Sequence, residues 1–412
     1  MSTVRSEAKE PVLSEVAAAW EHHVATMKEL RGVLESSELF KLAPAQRGMA
    51  YRQLIEVEAM AFNFCVGPRT AHPRVFRNTC WQTDFFCIGG NGPDFDYRMI
   101  LLDGKHTYRL TGKVNDSRMI LAQLNAGPPG SPNARCIGNY DFEDFNVRED
   151  GSFEVILSAK EHKGSWIKLP ADNDYQWMIF RPSVETWDDV PAELYIERIS
   201  PLSADDPDSD EFSEAAVARR IGLATGYARY LIKDWACGFA PLVLRKGGGP
   251  NKFIEFDSEE ATEEGSPSAR YLECSFEVDD DEALILEFER EPNGTYWSLQ
   301  LYDIWHRSID FRTRQSTLNG RQMVKDADGK VRVVLSHRDP GVENWLDSGG
   351  YNHGEVTWRN YKVTRREQCA VHRVKFTDVL KHLPADTKKV TPEVRARELE
   401  LRRKTYLRRH GE

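Results

Sequence analysis

Asp150-Gly-Ser-Phe-Glu-Val-Ile-Leu-Ser158 and Asp328-Gly-Lys-Val-Arg-Val-Val-Leu-Ser336 are one pattern written twice, 178 residues apart. In each copy an Asp-Gly turn signal feeds a short run rich in β-branched and apolar residues, which reads as a strand. A tryptophan follows each run, Trp166 and Trp345, and an arginine closes each unit, Arg181 and Arg359. Solenoid repeats run to roughly 20–50 residues, so a period this long is a domain-sized β unit used twice. Positions kept in both copies are those the unit needs to fold. That assigns the two tryptophans, expected to be buried, and the two arginines to structure. Positions that differ in chemical character mark where a single site could have been built. There Asp347 stands against Lys168, His353 against Tyr175, and Glu355 against Trp177.

Working outward, the chain divides into a helical region at 1–83, a first β half at 84–202, an acidic linker and connecting helix at 203–250, a second β half at 251–378 and a charged helical tail at 379–412. Val16, Trp20, Val24, Met27, Leu30 and Leu34 recur every three or four positions, predicting one amphipathic helix. A second helix is predicted from Pro44 through Leu54, Val57 and Ala61 towards Phe64. From about Asp84 the period is two. Tyr97–Leu102, Asp103-Gly104 and His106–Leu110 predict a hairpin. Further strands are expected at Met119–Leu124, Phe153–Ser158, Tyr175–Phe180 and Glu193–Ile199. After an acidic break at 203–214, Val217, Ile221, Ala224, Tyr227 and Leu231 predict a helix over Glu211–Trp235, packed between the halves. The expected class is mainly β with helical flanks (α+β): two sandwich or jelly-roll halves related by duplication and joined by a helix.

With 55 Lys and Arg against 65 Asp and Glu, the formal charge is −10, which argues against general nucleic-acid binding. No run approaches the roughly 18 apolar residues of a membrane span, and the charged start is no secretory signal. Seven cysteines without a Cys-x-x-Cys pair suggest reduced thiols, so a cytoplasmic location is expected. The tail from Thr387 to Glu412 holds nine Lys and Arg against four Glu, predicting a solvated helix or one that docks a second subunit.

Tyr296-Trp-Ser-Leu-Gln-Leu-Tyr-Asp303, Asp326-Ala-Asp-Gly329, Asn344-Trp-Leu-Asp347 and Glu355-Val-Thr-Trp-Arg359 together resemble the domain-of-unknown-function 1214 family. Thr107-Tyr-Arg-Leu-Thr-Gly112 and Asp150-Gly-Ser-Phe-Glu154 extend the resemblance, which spans roughly Asp84 to Phe376. It implies a jelly-roll-like β architecture and carries no catalytic motif. The chain departs from the family pattern after Leu346, where Asp347-Ser-Gly-Gly replaces apolar and proline residues.

Two segments hold the candidate chemistry, both in the second half, where a single pocket is expected. Read as a strand, Trp305–Arg314 puts His306, Ser308, Asp310, Arg312 and Arg314 on one face and Trp305, Ile309 and Phe311 on the other. That polar face is either a solvated exterior or an anion-binding wall with arginine clamps, and Trp305, Asp310, Arg312 and Arg314 are its substrate-binding candidates. In the second segment His353, Glu355, Thr357 and Arg359 share a strand face. His353, Glu355, Asp347 and His306 are the acid–base candidates. His353-Gly-Glu355 is one ligand short of a cupin-like metal motif, so neither metal nor cofactor is expected. No Gly-x-Ser-x-Gly elbow or dinucleotide fingerprint occurs. Two function classes remain open. One is a metal-independent hydrolase or lyase acting on a small oxygenated organic molecule. The other is a non-catalytic sandwich that binds carbohydrate or a protein partner, and a homo-oligomer built through the tail fits either.

Overall fold

The repeated stretch becomes the same strand in each half of the computed structural model, which describes residues 14–77, 88–173, 175–201, 213–256 and 269–410. Cys80, Trp81 and most of the acidic break after residue 202 lie outside the described residues. In the first half one sheet orders β1 (Arg98–Leu102), β7 (Gln176–Pro182), β3 (Ile120–Ala126) and β4 (Arg135–Asp141). Its partner orders β6 (Trp166–Lys168), β5 (Ser152–Ser158), β2 (Tyr108–Lys113) and β8 (Glu193–Arg198). The second half repeats both orders. One sheet runs β10 (Ala269–Glu277), β16 (His353–Tyr361), β12 (Tyr296–Asp303) and β13 (Thr317–Asn319), with β9 (Ile254–Phe256) added outside β10. The other runs β15 (Trp345–Asp347), β14 (Val331–Ser336), β11 (Glu282–Phe288) and β17 (Cys369–Lys375).

The duplication extends to single hydrogen bonds. Trp166 Nε1 donates to Ser158 Oγ at 3.1 Å, and Trp345 Nε1 to Ser336 Oγ at 3.0 Å. Arg181 donates to Gln123 Oε1 at 3.0 Å, and Arg359 to Gln300 Oε1 at 3.1 Å. Trp345 is buried as expected, whereas Trp166 is only half-buried. The predicted hairpin at Asp103-Gly104 is not one: β1 pairs with β7, and β2 pairs with β5 and β8, so the turn crosses between sheets. Gly104 is required there because a Cβ would fall 1.8 Å from the Pro170 carbonyl oxygen.

Each half has its own apolar interior, Leu110, Phe153 and Phe180 in the first, Leu299, Val333 and Trp358 in the second. A third core joins the outward faces of β7 and β3 to the helices α1 (Glu15–Ser36), α3 (Arg47–Ala61) and α4 (Glu214–Tyr230), a short α2 (Glu38–Leu42) lying between the first two. The α1 stripe holds only in its second part: Leu30 and Leu34 are buried, while Trp20 and Val24 are exposed. Beyond α4 a π-turn at Leu231–Ala236 leads into α5 (Phe239–Gly247). The tail helix α6 (Pro392–His410) lies on its own chain: Arg402 is buried with Phe311 O and Thr317, and Arg395 reaches Val342 O and Asp339. No helix among the described residues is long and apolar enough to cross a membrane.

Candidate functional site

Side chains alternate along a strand, so Glu355, Thr357, Arg359 and Tyr361 of β16 face away from the second sandwich's interior. The register places Glu273 and Ser275 of β10 opposite Thr357 and Glu355, with Gln300 and Tyr302 of β12 on the other side. Such a face ordinarily meets water. Here Glu273, Gln300, Tyr302, Glu355, Thr357 and Arg359 are all buried, covered in part by the Gly90-Asn91 segment and by Trp235 and Phe239.

His306 enters this face from the turn after β12. The stretch from Trp305 to Arg314 is not a strand, contrary to expectation: β12 ends at Asp303, and the chain turns. The Asp303 carboxylate accepts from the backbone amides of Trp305 at 2.9 Å and Arg307 at 3.0 Å, which fixes the turn. His306 sits at φ +55° within it, a left-handed conformation that a non-glycine residue adopts only at a cost. Arg307 secures the corner from behind, pairing with Asp303 at 3.2 Å and Glu56 of α3 at 2.8 Å.

The turn delivers the His306 Nδ1 to 2.5 Å from Glu355 Oε2. Tyr302 stacks on the imidazole at 4.4 Å and 11°, while Trp235 and Phe239 meet it edge-on at 5.0 and 4.6 Å. Burial drives the electrostatics. It pushes the Glu355 carboxyl well above its usual range, with the Asp303 charge adding to the rise. Burial also lowers His306 to about 4, although Glu273 and Asp303 pull the other way. Both shifts favour the neutral forms of the pair, in which the Glu355 O–H donates to Nδ1 and the imidazole proton sits on Nε2. Glu273, whose carboxylate accepts from Thr357 Oγ1 at 2.7 Å, is raised to about 8, chiefly by burial. Among the described residues, the buried Glu355 Oε1 and Ser275 Oγ meet no hydrogen-bond partner.

The other predicted residues lie elsewhere. His353 begins β16 half-buried, and its backbone carbonyl accepts from Gln46 Nε2 at 2.7 Å. Asp347 belongs to β15 in the opposite sheet and pairs with Arg314 at 2.9 Å. Asp310 pairs with Arg312 at 2.9 Å and accepts from Thr313. Trp305 is fully buried, its Nε1 donating to Gln46 O at 3.0 Å, so it anchors the turn to the helices. The structure thus joins His306 to Glu355 and leaves the remaining six candidates outside that contact. Glu273, Gln300 and Tyr302 escape sequence reasoning because polar residues alternating along β10 and β12 read as a solvent face. Among the described residues no three His, Cys, Asp or Glu side chains gather as a metal-holding group.

Fold and site define a duplicated double-sandwich β protein whose second half carries a buried His–Glu pair on an outward sheet face. The family model described as "Protein of unknown function (DUF1214)" matches the chain twice, over residues 94–181 and 275–365, so the resemblance to that family holds in both halves. The structure is similar to that of an uncharacterised protein from Burkholderia cenocepacia, at 22% identity over 89% of this chain and 99% of that one, with a TM-score of 0.76. The VPA0106 protein from Vibrio parahaemolyticus aligns at 11% identity over 79% of this chain and 98% of that one, with a TM-score of 0.46. No curated protein matches the chain.

Proposed function

We propose that the polar face of the second half is an acid–base site and that the protein is a metal-independent hydrolase or lyase for a small oxygenated organic molecule. One observation carries this reading: the buried 2.5 Å contact between His306 and Glu355, at a place where the first half has Trp177. A buried polar group without full partners costs stability, and the first half folds the same sheet without one at this position. A carboxyl held protonated and an imidazole held neutral are an acid and a base separated by one hydrogen bond. In this reading Glu355 shuttles a proton through His306, whose Nε2 faces Gly90 and the substrate, and Glu273 sets the local charge.

A panel of small esters, lactones and hydroxy acids tests the reading. The wild type is expected to turn over at least one of them, with Glu355→Gln and His306→Gln lowering kcat by roughly 10²–10⁴ while the melting temperature stays within a few degrees. Turnover undiminished in Glu355→Gln, or none across the panel, would sink it.

A further inference from the structure

The outward face of α3 breaks the usual division of an amphipathic helix. Gln53, Val57 and Met60 are buried on the inner side, but the opposite stripe is not a run of charges. Tyr51 is 45% exposed, Ile55 69% and Phe62 57%, the last on the π-turn (Phe62–Val66) that continues the helix. Spaced by four and then seven positions, the three stand in one line on one face. Among the described residues no element covers that line. Single apolar residues on a surface need no explanation, whereas three large ones in line mark a contact face.

The residues around the line say what covers it. Ile55 is the centre, and the stripe reads outward from it as complementary pairs. Three positions before it stands Arg52, and three after it Glu58; four before it stands Tyr51, and four after it Ala59; seven before it stands Gly48, and seven after it Phe62. Each pair sets a cation against an anion or a large side chain against a small one. All of them are exposed except Ala59, which is half-buried, and a Cβ on Gly48 would meet nothing within 4 Å. Two copies of this helix crossing antiparallel at Ile55 bring each residue level with the one equally far beyond Ile55 in the other copy. Phe62 then lies over Gly48, where the missing side chain lets the helices approach, and Tyr51 lies level with Ala59. Arg52 comes within reach of Glu58. It already bonds Glu56 of its own helix at 2.7 Å, and the five N–H donors of a guanidinium serve more than one carboxylate.

We infer that this face of α3 pairs with the same face of a second copy, in an antiparallel two-fold dimer centred on Ile55. The tail helix α6 is committed to its own chain through the buried Arg395 and Arg402. A lipid surface suits the α3 face less well, because an interfacial helix is flanked by Lys and Arg, and here one flank carries Glu58.

Sedimentation velocity of the full chain tests the pairing. The wild type should sediment largely as a dimer at about 50 µM. Ile55→Glu sets two carboxylates together at the axis and should raise the dissociation constant at least about tenfold, with the chain still folded by circular dichroism. Arg52→Glu and Glu58→Arg each set like charges level and should weaken the dimer too. An equimolar mixture of these two variants restores both pairs of opposite charge, so it should dimerise as the wild type does. Should Arg52→Glu, beside Glu56, fail to fold, Ile55→Glu and Glu58→Arg decide. A monomeric wild type, a dimer undisturbed by Ile55→Glu or by Glu58→Arg, or a mixture that stays monomeric would each overturn the inference. So would a monomer that cosediments with phosphatidylcholine–phosphatidylglycerol vesicles, which would give the face to a membrane.

Discussion

The outward sheet faces of the two halves are built on the same strands in the same order, yet they do opposite things. In the first half Trp177 lies between Leu101 and Asn125, and its ring meets Phe64 at 5.1 Å in the core shared with the helices. In the second half the equivalent position is Glu355, between Ser275 and Tyr302, joined to a histidine from the next turn. One copy uses this face for packing and the other for polar groups that packing does not need. Duplication makes the difference tolerable, since one half can hold the molecule together while the other keeps an unfavourable cluster.

Exchange across the comparison should have the largest effect. Trp177→Glu would bury a carboxyl among Phe64, Tyr227 and Ile179 with no partner, and should cost more than about 4 kcal/mol or prevent folding; urea denaturation reads this directly. A cost under about 1 kcal/mol would mean that the first half tolerates the polar arrangement too. Next come the paired tryptophans. Trp345→Ala should cost about 3–5 kcal/mol as for other core aromatics, and Trp166→Ala distinctly less, because Trp166 is half-buried. Equal losses in denaturant would contradict that ranking.

These positions are legible in the sequence because the repeat writes them twice. The Asp-Gly-led strands, the tryptophans and the Arg181–Arg359 equivalence follow from residues that both units need. Half of the central pair is legible too: Glu355 replaces a tryptophan, and alternation puts it on the strand face where it is found. Its partner is not. His353 shares the strand, but a side chain two residues along points past Glu355, whereas His306 arrives from a turn. The polar run after Asp303 imitates strand alternation because its side chains serve local turn bonds, Asp303 to backbone amides and Asp310 to Arg312 and Thr313. Burial of β10 and β12 is illegible for a different reason. What covers them comes from Gly90, Trp235 and Phe239, far away in sequence, and alternation alone cannot tell a face under water from one under protein.

Two smaller effects sharpen the contrast. His306 occupies a left-handed backbone position that the site requires, so His306→Gly should be more stable than His306→Ala by about 1 kcal/mol; the reverse order in thermal melts would show that the turn is unstrained. The pH dependence is smaller still. His306 binds fewer protons folded than unfolded between about 4 and its usual 6.5, so its contribution to stability grows as pH rises through that window. Glu273, raised to about 8 from 4.5, binds more protons folded, so its contribution is present at low pH and is lost as pH rises towards 8. Above the usual histidine value of 6.5 the His306 contribution is complete, while that of Glu273 is still falling. The wild type should lose stability from there up to about pH 8, and Glu273→Gln should lose less; identical profiles would remove Glu273 from the buried cluster's charge balance.

Whether the second half keeps its polar face for chemistry and not for folding is tested most directly by Glu355→Gln, measured side by side for unfolding free energy and for turnover. The amide can still donate to His306 Nδ1, so stability should change by less than about 1 kcal/mol while turnover collapses. A variant destabilised by about 3 kcal/mol or more, the cost of breaking a buried network, that still turns over substrate at the wild-type rate would contradict the account.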